Sequence, residues 1–201
     1  MSQAIPSVLV IDTNQARASL IEDGLRAEGY ERVHLVTNTD RLAQRIAVIE
    51  PDVVIMDLGN PNRDMLEDML RVARTVNKPI AMFVDRSDKQ SMEEAIEAGV
   101  SAYVVDGFRQ DRVRSIMEMA ISRFNAFSRL QRELESAKNA LSDRTTVDKA
   151  KRLIMKTRGM SEEAAYQMLR KTAMNQNRKL SEVAESLLLS ASLLGGGEEV
   201  E

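Results

Sequence analysis

Two aspartates follow continuous apolar runs: Asp12 after Val8-Leu9-Val10-Ile11, and Asp57 after Val53-Val54-Ile55-Met56. Carboxylates meeting at one sheet edge can hold a hard cation such as Mg²⁺, which prefers oxygen ligands. One of them can also accept a phosphoryl group as a covalent nucleophile. The plainer use is capping of the next helix or turn, common for Asp at βα junctions. A second chemistry lies in the back half, where residues 143–190 carry ten Lys/Arg against six Asp/Glu. That surplus suits either a polyanionic partner or an ordinary solvated face.

Composition narrows the remaining classes. The 201 residues contain no cysteine, which excludes disulfides, thiolate zinc sites and a cysteine nucleophile. A single histidine, His34, excludes a two-histidine metal site. Aromatics are 3% with no Trp, so stacking platforms for single strands are scarce. No apolar run approaches the roughly 18 residues of a membrane helix, and no leader-like segment precedes the first strand, so a cytoplasmic, non-enzymatic protein is expected. The charge is uneven: residues 1–110 hold 12 basic and 18 acidic side chains, the reverse of the back half. Such asymmetry suggests separate modules.

The elements that must position the aspartates alternate. Val8–Ile11, Val33–Val36, Val53–Met56, Ile80–Val84 and Ala102–Val105 read as strands buried on both faces. Helical spacing separates them: Ala16, Leu20, Ile21 and Leu25; Leu42, Ala43, Ile46 and Ile49; Leu66, Met69, Leu70 and Ala73; Met92, Ala95 and Ile96. The pattern predicts a doubly wound, five-stranded parallel sheet with its site beyond the carboxyl ends of the strands.

From Asp111 to Arg144 there is neither Pro nor Gly. Taking Val113 as an a position, the a/d series is Val113, Ile116, Ala120, Arg123, Phe127, Leu130, Leu134, Ala137, Leu141 and Arg144, eight of ten being apolar. A coiled-coil seam and a homodimer are expected, with Met117 and Phe124 packing on the front module. Three short helices follow. The first carries Val147, Ala150, Leu153 and Ile154. The second is capped by Ser161, with Ala164, Ala165, Met168, Leu169 and Met174 inward. The third begins at Ser181.

The segments Val8–Asp12, Asp52–Leu58, Lys78–Val84 and Glu94–Phe108 resemble a response-regulator receiver domain of flavodoxin-like fold, over about residues 5–125. The resemblance implies that Asp57 is the phosphoacceptor and that Asp12, with Asp57, binds Mg²⁺. Four departures weaken it: Thr13 replaces the second acid, Val84 the hydroxyl residue, Asp106 the Lys and Gly107 the Pro. Asp106 would set a like charge against a phosphoryl group, and each lost charge-assisted hydrogen bond is worth roughly 1.5–3 kcal/mol. A pseudo-receiver, serving as docking and dimer platform, is expected.

The blocks Val147–Met155, Arg158–Tyr166, Leu169–Met174 and Lys179–Ala184 are similar to the ANTAR family of three-helix RNA-binding modules, and the whole chain resembles nitrate-assimilation antiterminators. The resemblance implies leader RNA carrying paired hairpins as ligand, and a nitrate- or nitrite-sensing protein as partner in place of phosphorylation. The RNA-binding candidates are Lys149, Lys151, Arg152, Lys156, Arg170, Lys171, Arg178 and Lys179, with Tyr166 either stacking on a base or packing in the core. The expected organisation is α/β plus all-α. A pseudo-receiver spans 1–125, a coiled-coil helix 111–144, an ANTAR-like module 145–192, and a disordered acidic tail 193–201. A phosphorylation switch at Asp57 and a duplex-DNA-binding module are the competing expectations.

Overall fold

The computed structural model describes residues 5–193, and the acidic tail beyond Leu193 lies outside the described residues. The chain divides into two compact units, Met1–Arg129 and Leu130–Glu201.

The first unit alternates strand and helix: β1 (Val8–Ile11), α1 (Gln15–Ala27), β2 (Val33–Val36), α2 (Leu42–Ile49), β3 (Val53–Gly59), α3 (Arg63–Thr75), β4 (Ile80–Val84), α4 (Lys89–Glu97) and β5 (Ala102–Val105). All pairings are parallel and the order is β2-β1-β3-β4-β5. The alternation of side chains along a strand splits the core in two. Val8, Val10, Val53 and Ile55 join Ile21 and Leu25 of α1 and Val113, Met117 and Ala120 of the following helix. Leu9, Ile11, Val54 and Met56 face the other way, toward Leu66, Met69 and Leu70 of α3 and Ala95 of α4. Both faces of the sheet are therefore covered, as continuous apolar strands require.

Three expectations need correction here. On α1 the buried side is Ala18, Ile21, Gly24 and Leu25, whereas Ala16 and Leu20 are exposed. Gly24 contributes because Phe108 packs against it, leaving no room to spare for a larger side chain. The third strand does not close at Asp57 but runs on to Gly59, with its register against β4 shifting between those two residues. The a/d series is not one seam. Val113 and Ala120 are buried against the sheet, while Phe127, Leu130, Leu134, Ala137 and Leu141 are exposed. Met117 is fully buried and Phe124 half-buried.

The long helix is itself longer than the periodicity suggested. α5 runs unbroken from Gln110 to Arg158, so the linker and the first helix of the basic module are one element. Gly159, at a left-handed φ of 64°, ends it. α6 (Glu162–Gln176) and α7 (Leu180–Leu193) follow. The second unit closes around Ala150 and Ile154 of α5, Ala165, Leu169 and Ala173 of α6, and Val183 and Ala184 of α7. Alanine at four of these seven positions leaves little side-chain volume between the three helices. Ala164 and Met174, expected inward, are exposed, because the buried stripe of α6 follows the four-residue step 165–169–173.

Candidate functional site

Asp12 and Asp57 are both buried, at the carboxyl ends of the adjacent strands β1 and β3. Neither caps a helix. Asn14 caps α1, its side chain accepting from the Arg17 amide, and Asn62 caps α3, accepting from the Met65 amide. Asp12 Oδ1 instead accepts the Asn14 N–H at 2.8 Å, and Asp57 Oδ1 accepts the Gly59 N–H at 3.1 Å. The turn after β1 thus holds Asp12 in place and starts α1 within two residues.

That geometry delivers a residue that periodicity did not single out. Arg17 sits in the first turn of α1, and its guanidinium reaches back over the end of β1. Arg17 Nε donates to Asp12 Oδ2 at 2.5 Å and Nη2 donates to Asp12 Oδ1 at 2.7 Å. The same Nε lies 3.7 Å from Asp57 Oδ1. The hydrogen bonds to Asp12 hold the guanidinium firmly protonated, its pKa raised further above the ordinary arginine value. Gly59 leaves the space: at φ 58°, a Cβ there would run into the Arg17 guanidinium. The legible signal was an Arg five residues beyond the strand-end Asp, with an Asn positioned to begin a helix between them.

Asp57 is the less comfortable acid. Burial pushes its carboxyl above the ordinary range, Arg17 and the Gly59 amide pull it back, and the charges of Asp12 and Asp85 push it up again. The like charge that reaches Asp57 from the fourth strand's end is therefore Asp85. Asp106, expected to fill that role, is exposed and in the left-handed region at φ 77°. Val84, in the position of the missing hydroxyl, is fully buried.

A divalent cation fits this pocket poorly. Among the described residues no three acidic or imidazole side chains converge as metal ligands. Both oxygens of Asp12 already accept from one arginine fork.

In the second unit the expected basic residues divide by environment. Lys149, Arg152, Lys156, Arg170, Lys171, Arg178 and Lys179 are exposed. Lys149, Arg152 and Lys156 recur along one side of α5 at three- and four-residue steps. Lys151 differs: its side chain is 15% exposed and its ammonium sits 2.7 Å from both Asp148 Oδ1 and Glu162 Oε1. These contacts raise the Lys151 pKa and lower that of Asp148. Arg178 also braces structure, donating to the Glu182 carbonyl and to Ser186 Oγ at 2.9 Å. Tyr166 is half-buried and borders an open cleft with Arg144, Val147, Lys151, Lys179 and Leu180.

Two family models match this chain. The response regulator receiver domain covers residues 8–118 and the ANTAR domain residues 135–188. The transcriptional regulatory protein PdtaR of Mycobacterium tuberculosis is 30% identical over 186 residues, which is 92% of this chain and 91% of that protein.

The chain belongs to the ANTAR response regulators.

A shorter match joins this ANTAR response regulator to the nitrate regulatory protein of Klebsiella oxytoca, 35% identical over 80 residues, 40% of this chain and 20% of that one. Among solved structures, the signal receiver domain of a modulated diguanylate cyclase from Desulfovibrio desulfuricans superposes with a TM-score of 0.52 at 21% identity. It covers 61% of this chain and 98% of its own, which shows the receiver fold. A regulatory rather than enzymatic role agrees with this architecture. No helix among the described residues is long and apolar enough to cross a membrane.

Proposed function

We propose that this ANTAR response regulator is a transcription antiterminator that binds paired hairpins in leader RNA. The exposed cations of its ANTAR module are what support this reading. Lys149, Arg152 and Lys156 on α5, Arg170 and Lys171 on α6, and Lys179 before α7 present charge to solvent. A folded RNA offers phosphates and splayed loop bases to such a face, since its deep groove admits no helix. Lys151 contributes by tying α5 to α6, because its charge is already answered by Asp148 and Glu162.

Two modules per assembly follow from α5. Leu130, Leu134, Ala137 and Leu141 form an exposed stripe with a/d spacing, unusual for a helix that must stay in water alone. In the same frame Glu133 occupies a g position and Lys138 the next e position, the pair that faces across a parallel two-stranded coiled coil. A homodimer so joined carries one ANTAR module for each of two hairpins, and linkage raises affinity without new contacts.

The genes served are those of nitrate or nitrite assimilation, a reading supported by the similarity to the Klebsiella oxytoca nitrate regulatory protein. Control comes from a nitrate- or nitrite-sensing protein that holds the regulator away from RNA. The receiver contributes a docking surface in place of an acyl-phosphate, in keeping with Val84, Asp106 and the filled pocket at Asp12 and Asp57.

Gel-shift titration of the purified chain separates the readings. Hairpin RNA is bound more tightly than duplex DNA of matched sequence, and affinity falls as salt rises. Preference for the duplex would make this a DNA-binding regulator instead.

A further inference from the structure

We infer that Arg17 is a tethered cation standing where a divalent metal would otherwise sit, so that the receiver pocket carries its own counter-charge. The inference is independent of what the ANTAR module binds. Two buried carboxylates at neighbouring strand ends repel each other and lose hydration, so the fold must supply positive charge there. Arg17 supplies it through one planar fork that spans both Asp12 oxygens and reaches within 3.7 Å of Asp57.

Three features show that the placement is built. Asn14 caps α1 so that Arg17 falls in the first turn, directly above the end of β1. An arginine in that turn opposes the helix dipole, so the position is unfavourable unless acids hold it. The backbone at Gly59 also stays clear of the guanidinium, where any side chain would collide with it. A Mg²⁺ ion needs oxygens at about 2.1 Å in near-octahedral array; Asp12 Oδ1 already accepts from both Arg17 and the Asn14 amide, and the guanidinium held on Oδ2 opposes a second cation there. The receiver therefore stays in one electrostatic state whether or not Mg²⁺ is present, and this closes the metal-dependent route to an acyl-phosphate at Asp57.

The test is calorimetric titration of the full chain with MgCl₂ at constant ionic strength, alongside melting curves. The wild type shows no saturable Mg²⁺ binding in the millimolar range and no Mg²⁺-dependent shift in Tm. R17Q binds Mg²⁺ at least an order of magnitude more tightly and gains Tm with it, and D12N/R17Q loses that gain. R17K keeps the charge without the fork and binds Mg²⁺ with intermediate strength, so the comparison does not depend on R17Q alone. The inference is overturned if the wild type binds Mg²⁺ as tightly as R17Q or R17K. It is equally overturned if neither variant gains affinity, or if the gain persists without Asp12.

Discussion

Lys151 of α5 places its ammonium 2.7 Å from Glu162, the first residue of α6, and so closes a bridge across the turn that Gly159 makes between the two helices. Asp148, one turn earlier on α5, grips the same ammonium from the other side. A lysine that looked like an RNA contact is thereby also a structural clamp. K151A lowers the melting temperature of the ANTAR module, and its RNA affinity falls in step with unfolding. R170A and K171A lower hairpin affinity, each by roughly the contribution of one phosphate contact to the salt slope, while Tm stays put. Circular dichroism melts run beside the gel shifts distinguish the two patterns.

Arg17→Ala leaves two buried carboxylates without their counter-ion. Breaking a buried pair costs roughly 3–5 kcal/mol, and solvent screening reduces this to about 2 kcal/mol because a third of the Arg17 side chain is exposed. Urea denaturation followed at the receiver should show the midpoint fall with its slope unchanged. An unaltered midpoint would mean that the pair is electrostatically idle.

Asp57→Asn works in the opposite direction. Burial raises the folded carboxyl above its unfolded value, so the stability Asp57 lends is complete below the ordinary carboxylate range and is lost as pH rises through the folded value. At neutral pH the ionised group is a burden. The asparagine removes it while an Oδ1 remains to accept the Gly59 amide. D57N therefore gains Tm at neutral pH, as scanning calorimetry would show. The gain shrinks toward zero below the ordinary carboxylate range, where the wild-type carboxyl is protonated in both the folded and the unfolded chain. A gain independent of pH would point to packing instead.

Leu134→Glu sets a charge in the middle of the exposed stripe of α5. The substitution leaves the folded units intact, since Leu134 belongs to none of the buried clusters. It should convert a dimer to a monomer in light scattering after size exclusion. Affinity for a two-hairpin RNA then drops by about two orders of magnitude or more, toward the single-hairpin value. A monomeric wild type would mean that the stripe is no dimer seam.

The parallel sheet was legible because five apolar runs alternate with helical spacing, and all five strands fall where those runs stand; their order was not. The cap of α6 was legible for the same local reason: Ser161 accepts from the Ala164 amide, with Glu162 and Glu163 in the first turn. The pocket was legible only in its acids. Asp12 and Asp57 announce themselves by following strands, but Arg17 enters through the tight turn at Asn14, and the room for it comes from Gly59, forty-two positions away. Likewise Asp85 and Asp106 are both acids after strands, and only the fold shows that it is the charge of Asp85 that reaches Asp57. The helix seam misled because apolar spacing records burial without saying against what. Val113 and Ala120 meet the sheet, whereas Leu130 and Leu134 stand exposed.

In the proposed function the ANTAR module grips folded RNA and the receiver needs no phosphate to permit it. The most direct test is the affinity of the full chain for a two-hairpin leader RNA, measured with and without beryllofluoride and Mg²⁺. Tight, salt-sensitive binding that is the same in both conditions is expected. Binding that appears only with the phosphoryl mimic, or no binding to hairpins in either condition, contradicts this reading.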